Sequence, residues 1–333
     1  MKFKLLALIA VLSLCAGRAY SQGGIFLSQY YQNLPGFNPG LTGATDFLDI
    51  RTGTRQQWVG FDGAPKTYFV SANGVIKPKV NPYRKNSLRT SQPEGAVTSH
   101  TPVSKLKWGL GGYVLKQEQG PFDQMQAMLN VASHIAVTER TYLSMGIASG
   151  ISNYRVNLSE VVVADQVNDA TYNMFMANGF NNTYASLSAG VALYSDLYYV
   201  GISSLQLSRT LLSGNDLLNK DGNNRIFHAV GGYRLYFQKF DVVPNINVRF
   251  ETSQPVVVDL GARLRYNKLI SAGLSFRNDQ SIIGLLGVDI TDKINFSYSL
   301  ESRMGNASDV NNGSHEIVLG LKLYNHNRFS PLW

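Results

Sequence analysis

The chain has 333 residues, of which 44% are hydrophobic, 11% aromatic and only 16% charged, with a formal net charge of +8. The charged fraction falls short of the roughly 25% typical of soluble chains, while Gly (31) and Tyr (18) are abundant. That composition suits lipid on one side of a wall and packed polar groups on the other.

The first residues read as a secretory signal peptide over 1–21. Lys2 and Lys4 form a basic start, Leu5 to Ala16 an apolar run, and Ala19-Tyr20-Ser21 a small-x-small site cut before Gln22. The apolar run is too short to span a bilayer as a stable helix. Cys15 raises a lipoprotein alternative, but Leu14 stands where a small residue is expected before an acylated cysteine. Cleavage before Gln22 removes the chain's 1 cysteine, so the exported form uses no disulfide. It also removes Lys2, Lys4 and Arg18 but no acid, leaving 27 basic residues against 22 acidic ones. An excess of that size gives no argument for nucleic acid. No later window is long and apolar enough for a transmembrane helix, yet an exported chain can still cross a membrane as a closed β-barrel.

From residue 48 onward the dominant signal is alternation at period two. Ala185, Leu187, Ala189, Val191 and Leu193 alternate with Tyr184, Ser186, Ser188, Gly190 and Ala192; Val258, Leu260, Ala262 and Leu264 alternate with Asp259, Gly261, Arg263 and Arg265. A soluble sandwich alternates too, so length and connections decide. The predicted strands are 48–58, 66–76, 106–117, 125–137, 141–153, 183–194, 197–208, 225–238, 241–250, 256–266, 269–277, 281–290, 293–302 and 314–324. Most are longer than the ~5–6 residues of soluble strands. Very short turns (138–140, 195–196, 239–240, 267–268, 291–292) recur at every second connection, and the alternate connections (154–182, 209–224, 303–313) are mostly longer. Short turns at one rim and long loops at the other predict an all-β, antiparallel, transmembrane outer-membrane barrel occupying 22–333. About 14 strands, an even number, put both ends of the barrel on the short-turn, periplasmic side.

One connection on that side is long. Residues 77–105 carry Lys77, Lys79, Arg84, Lys85 and Arg89, with Lys105, against Glu94, and four prolines interrupt them. This segment reads either as a basic docking element for a periplasmic partner or anionic surface, or as a solvated, partly disordered loop.

The search for chemistry is negative. His100, His134, His228, His315 and His326 have no metal-pair spacing. Gly201-Ile202-Ser203 and Gly273-Leu274-Ser275 lack the second glycine of a nucleophile elbow, and Asn219, Asp221 and Asn223 lack the distal Glu of a calcium loop. No enzyme activity, cofactor or metal is expected. Asp259, Arg263 and Arg265, with Arg234, Arg249 and Glu251, fall on the predicted inner face. They form either a solute-selecting lumen or a salt-bridged filling of the barrel.

The stretch RQQWVGFDGAP (55–65) lies at the first hairpin, on the long-loop side. Asp62-Gly63 is expected to supply the positive backbone angles of a tight turn, Trp58 to sit near the membrane interface, and Pro65 to close the turn. Arg55, Gln56 and Gln57 have no such explanation. Asn38-Pro39, Gly43, Arg55-x-Gln57-Trp58-x-Gly60 and Gly63-Ala64-Pro65-x-Thr67 together resemble the N-terminal signature of the PorP/SprF family, outer-membrane proteins of type IX secretion in Bacteroidota. The resemblance continues through Tyr199-Val200-Gly201-Ile202-Ser203 and His315-Glu316-Ile317-Val318-Leu319. It departs at Gly40, where the family often has Ala. The resemblance implies a non-catalytic barrel in outer-membrane lipid. Such a barrel contacts the periplasmic motor machinery, or helps secrete and hold a large surface adhesin, often for gliding. Asn38, Pro39, Gly43, Arg55, Gln57, Trp58, Gly60, Gly63, Pro65 and Thr67 would then shape the first hairpin as a docking surface. The competing reading is a passive solute porin.

Overall fold

The computed structural model describes residues 27–76, 106–138, 140–157, 159, 161, 168–214, 225–237, 239–252, 254–304 and 312–324. The expected signal peptide at 1–21, the basic segment at 77–105, the 219–224 loop and the residues from 325 onward lie outside them.

The chain forms one closed antiparallel barrel. Its strand segments are β1 (Leu48–Gln56), β2 (Lys66–Ile76), β3 (Leu106–Gln119), β4 (Phe122–Ala136), β5 (Thr141–Val156), β6 (Asn181–Ser195), β7 (Tyr198–Ser213) and β8 (Ile226–Tyr233). They continue as β9 (Leu235–Phe237), β10 (Phe240–Glu251), β11 (Gln254–Tyr266), β12 (Ile270–Arg277), β13 (Ser281–Asp289), β14 (Ile294–Arg303) and β15 (Ser314–Leu323). β8 and β9 both pair with β10 and are two parts of one strand interrupted at Arg234, so the barrel has 14 strands. Each strand pairs with its sequence neighbours, and β15 pairs with β1 from Leu48↔Leu323 to Gln56↔His315, which closes the sheet. Closure leaves the sheet without an edge strand, as a hydrocarbon surround demands.

The alternation read from sequence sets the two faces. On β6, Tyr184, Ser186 and Ser188 are buried toward the lumen; outward-facing Leu129, Ile202 and Leu274 are 72%, 64% and 67% exposed. An outer wall of large exposed apolar side chains over a polar interior is the signature of a barrel in lipid. Connections 137–140, 196–197, 267–269 and 290–293 lie on the rim where β1 starts and β15 ends. The opposite rim carries 157–180, 214–225 and 304–313, but also very short turns at 120–121 and 252–253. β7 runs five residues beyond its expected end at 208, because its ladder with β6 continues to Thr183↔Ser213. A short helix, α2 (Ala170–Asn178), lies within the 157–180 connection and carried no sequence signal.

The segment before β1 does not stay at the rim where β1 begins. Residues 27–47 thread the lumen, and all but Gly36, Phe37, Ala44 and Asp46 are buried. They form two 3-10 turns, Tyr30–Asn33 and Pro39–Leu41, around a single helical turn α1 (Leu34–Phe37). Pro35 and Pro39 open their turns, where no intrahelical amide is required. Tyr30, Tyr31, Leu34 and Leu41 pack with Tyr194, Tyr199, Val230, Val243, Ile283 and Leu285 of the wall into an apolar core inside the barrel. A smaller cluster joins Leu27 to Phe69, Leu115 and Val318.

Candidate functional site

The inner segment meets two kinds of wall. Toward β2, β3, β5, β6 and β7 it lies on glycines. A Cβ at Gly109 would collide with the Thr42 carbonyl, and one at Gly146 with that of Pro39. Gly43 has φ +70 and comes so close that its own Cβ would lie 2.6 Å from Gly109 Cα. Two backbones approach this closely only where neither carries a side chain.

Asn38 is fully buried between Gly190 and Gly201, both of which would strike it with a Cβ. Its Nδ2 donates to the carbonyls of Val191 (3.1 Å) and Ile202 (3.2 Å), and its Oδ1 accepts from the Gly40 amide at 2.9 Å. Gly43 N donates to Asn73 Oδ1 at 3.2 Å, and Ser203 Oγ donates to the Phe37 carbonyl at 2.6 Å. His134 Nε2 lies 2.8 Å from the Thr42 carbonyl and therefore donates to it, leaving Nδ1 to accept from the Tyr194 hydroxyl at 2.9 Å.

Toward β1, β10–β12, β14 and β15 the segment meets charge. Arg55 faces Glu316 across the β1–β15 ladder and Thr67 across β1–β2. Its Nη2 pairs with Glu301 Oε2 at 3.0 Å and its Nη1 with Glu316 Oε2 at 3.4 Å. Ser28 Oγ accepts from Arg55 and donates to Glu301 at 2.8 Å. The amides of Ser28 and Gln29 donate to the Glu316 carboxylate at 2.7 and 3.0 Å. Arg277 joins Asp259 (2.5 Å) to Glu301 (3.0 Å), and Arg51 pairs with Asp49 at 2.8 Å while donating to Gln32. Arg263 lies 4.4 Å from the centre of the Tyr31 ring. Arg249–Glu251 and Arg265–Asp241 are closed pairs at 2.5 and 2.6 Å. Of the two readings of the inner charges, the salt-bridged filling is the one found.

Asn38, Pro39, Gly43, Arg55, Gln57, Pro65 and Thr67 are all buried, whereas Gly60 and Gly63 are exposed and Trp58 is half-buried. The later blocks of the resemblance converge on the same place, because Gly201 and Ser203 hold the inner segment on β7 and Glu316 holds it on β15.

The first connection is braced on both sides: Val59 N donates to the Gly313 carbonyl at 2.9 Å and Gly120 N to that of Gly63 at 2.8 Å. Positive φ falls at Trp58 (46°), Gly60 (108°) and Gly63 (71°). Of the expected Asp62-Gly63 pair, only the glycine takes it. Two successive turns, Phe61 N to Trp58 O at 3.2 Å and Ala64 N to Phe61 O at 3.3 Å, replace the single one expected. Arg303 lies 5.9 Å from the Trp58 ring.

Sequence reasoning missed the inner segment itself. Its signals were the non-alternating, amide- and aromatic-rich run SQYYQN ahead of β1 and glycines at inward positions of successive strands.

The family model of the type IX secretion system membrane protein PorP/SprF matches residues 19–321. The chain belongs to this family. Among curated proteins none matches. Solved structures similar to it include the CymD monoaromatic hydrocarbon channel, at 11% identity and TM-score 0.46 over 92% of this chain and 95% of that one. The P. putida toluene transporter TodX is 8% identical with TM-score 0.43, over 87% and 93% of the two chains. A Rhodopseudomonas blastica porin mutant is 9% identical with TM-score 0.36, over 83% and 99%. At this similarity the channel names carry no argument about what this barrel does.

Proposed function

We propose that this barrel is a non-catalytic docking component of the type IX secretion system rather than a solute channel. In this reading it engages the periplasmic machinery, helps secrete and hold a large surface adhesin of the gliding type, or does both. The carrying observation is the lumen: residues 27–47 run through it, pinned by close packing on one side and buried ion pairs on the other. A solute pore needs a continuous wet path, which this packing opposes. A braced rim suits a docking platform, and the exposed tip Gly60–Gly63 of the first connection offers a rigid surface with Phe61 45% exposed. The buried motif residues then serve docking indirectly, by fixing the inner segment and the base of that connection. Lys77, Lys79, Arg84, Lys85 and Arg89, between β2 and β3, are proposed from their charge to meet the periplasmic partner. Export by the signal peptide at 1–21 brings the chain to the outer membrane with that rim inward.

The test is purification of a tagged copy from native outer membranes in mild detergent, with co-purifying proteins identified by mass spectrometry. A surface adhesin or motor proteins are expected. A barrel that emerges alone and conducts ions contradicts the proposal and favours a porin.

A further inference from the structure

Between the inner segment and the wall, at the rim bearing the 157–180 and 214–225 connections, lies a cavity of about 300 Å³. That is the lower end of the range for small-ligand sites, about 300–1,000 Å³, and it suits one or two sugar rings. Three features give it a chemistry.

The first is Arg209. Its guanidinium carbon lies 3.6 Å from the centre of the Tyr184 ring and 4.6 Å from that of Tyr154, which holds the cation in place. Among the described residues no carboxylate lies within ion-pair distance of it, and its Nε is buried without a hydrogen bond. The acid that shares the cavity, Glu251, is already paired with Arg249 at 2.5 Å. A partly buried cation over two aromatic rings, with no counter-ion among the described residues, is set up for a planar anion, which a carboxylate matches with two parallel hydrogen bonds.

The second is the hydrogen-bonding lining. Tyr154 Oη accepts from Gln124 Nε2 at 3.0 Å and from Gln206 Nε2 at 3.4 Å. Both acceptor positions of the phenol are then used and its proton is left to donate, while the two amide carbonyls are left to accept. Neighbouring hydroxyls both give and take hydrogen bonds, and this mixture complements them.

The third is the backbone. Between Ala189↔Ser204 and Leu187↔Ser208 the ladder shifts, so that 205–207 stand opposite Ser188, and Gln206 takes φ +55. The Gln206 amide donates to Ser188 Oγ at 3.2 Å, which holds the bulge. Bulges of this kind re-aim side chains and gather at functional sites.

We propose that this cavity binds a small carboxylate-bearing polyhydroxylated ligand, an acidic sugar, with Arg209 taking the carboxylate and Tyr154, Gln124 and Gln206 the hydroxyls. None of these residues belongs to the family motif, and the site is independent of the docking role.

The test is calorimetric titration of the purified full chain in detergent with glucuronate and, separately, glucose. Saturable glucuronate binding is expected, with glucose weaker by about tenfold or more, the scale of a lost charge-assisted pair. Arg209→Gln should lower glucuronate to the level of glucose, with barrel folding checked by heat-modifiable gel migration. Absence of saturable glucuronate binding, equal binding of the two sugars, or a folded Arg209→Gln variant that binds glucuronate unchanged would each overturn the proposal. The wild-type comparison decides the charge requirement without any variant.

Discussion

The two halves of the lumen wall hold the same inner segment by different physics. On β2–β7 the fit is steric: glycines let the backbone of Pro39–Gly43 lie directly on the wall, and Asn38 fills the gap between two of them. On β1, β10–β12, β14 and β15 it is electrostatic: Arg55, Arg277, Glu301 and Glu316 form one connected set with Ser28 and Gln29. The steric half has no room for a Cβ at Gly109, Gly146, Gly190 or Gly201, but little of its stability rests on any one hydrogen bond. The charged half tolerates small shifts but not the loss of a partner, since a buried charge left alone is costly.

That contrast orders the expected effects. Arg55→Ala leaves Glu316 buried without its cation and should cost about 3–5 kcal/mol, read as a lower midpoint of urea unfolding by heat-modifiable gel migration. Gly109→Ala drives a Cβ into the Thr42 carbonyl, an overpacking that should cost about 1–3 kcal/mol and loosen the segment. It should also increase protease cleavage between residues 27 and 47. Asn38→Ala removes three hydrogen bonds and strands part of the site, for about 1–3 kcal/mol in the same unfolding assay. Tyr194→Phe removes only the hydroxyl that supports His134 and should cost about 1 kcal/mol. Gly284→Ala is the control: its Cβ would meet nothing nearer than 3.9 Å, and its midpoint should stay within about 0.5 kcal/mol of the parent. If Gly109→Ala proved as mild as Gly284→Ala, the steric half would not hold the segment.

The barrel was legible because period-two patterning and turn lengths are local properties: β2 begins and ends where the alternation says, and β1 falls short by the two residues, Gln57 and Trp58, that turn into the first connection. The inner segment was not legible, because nothing in Leu27–Phe47 repeats and its fold depends on a surface assembled from strands distant in sequence. Asn38 reaches carbonyls on β6 and β7, and Ser28 reaches carboxylates on β14 and β15. Arg55 stood out in the sequence as unexplained by its hairpin. Its reason, two carboxylates near the opposite end of the chain, emerges only once β15 closes on β1. Gln206 gave no sign of its bulge, because a positive φ at a glutamine is imposed by the ladder rather than by the residue.

The account turns on whether the inner segment closes the barrel. Planar-bilayer recording of the purified full chain tests this most directly, beside a variant carrying Gly109→Val and Gly146→Val to force the segment off the wall. The full chain should insert without steady conductance and the variant should open stable channels. Steady ohmic conductance from the full chain, equal to that of the variant, would contradict the claim.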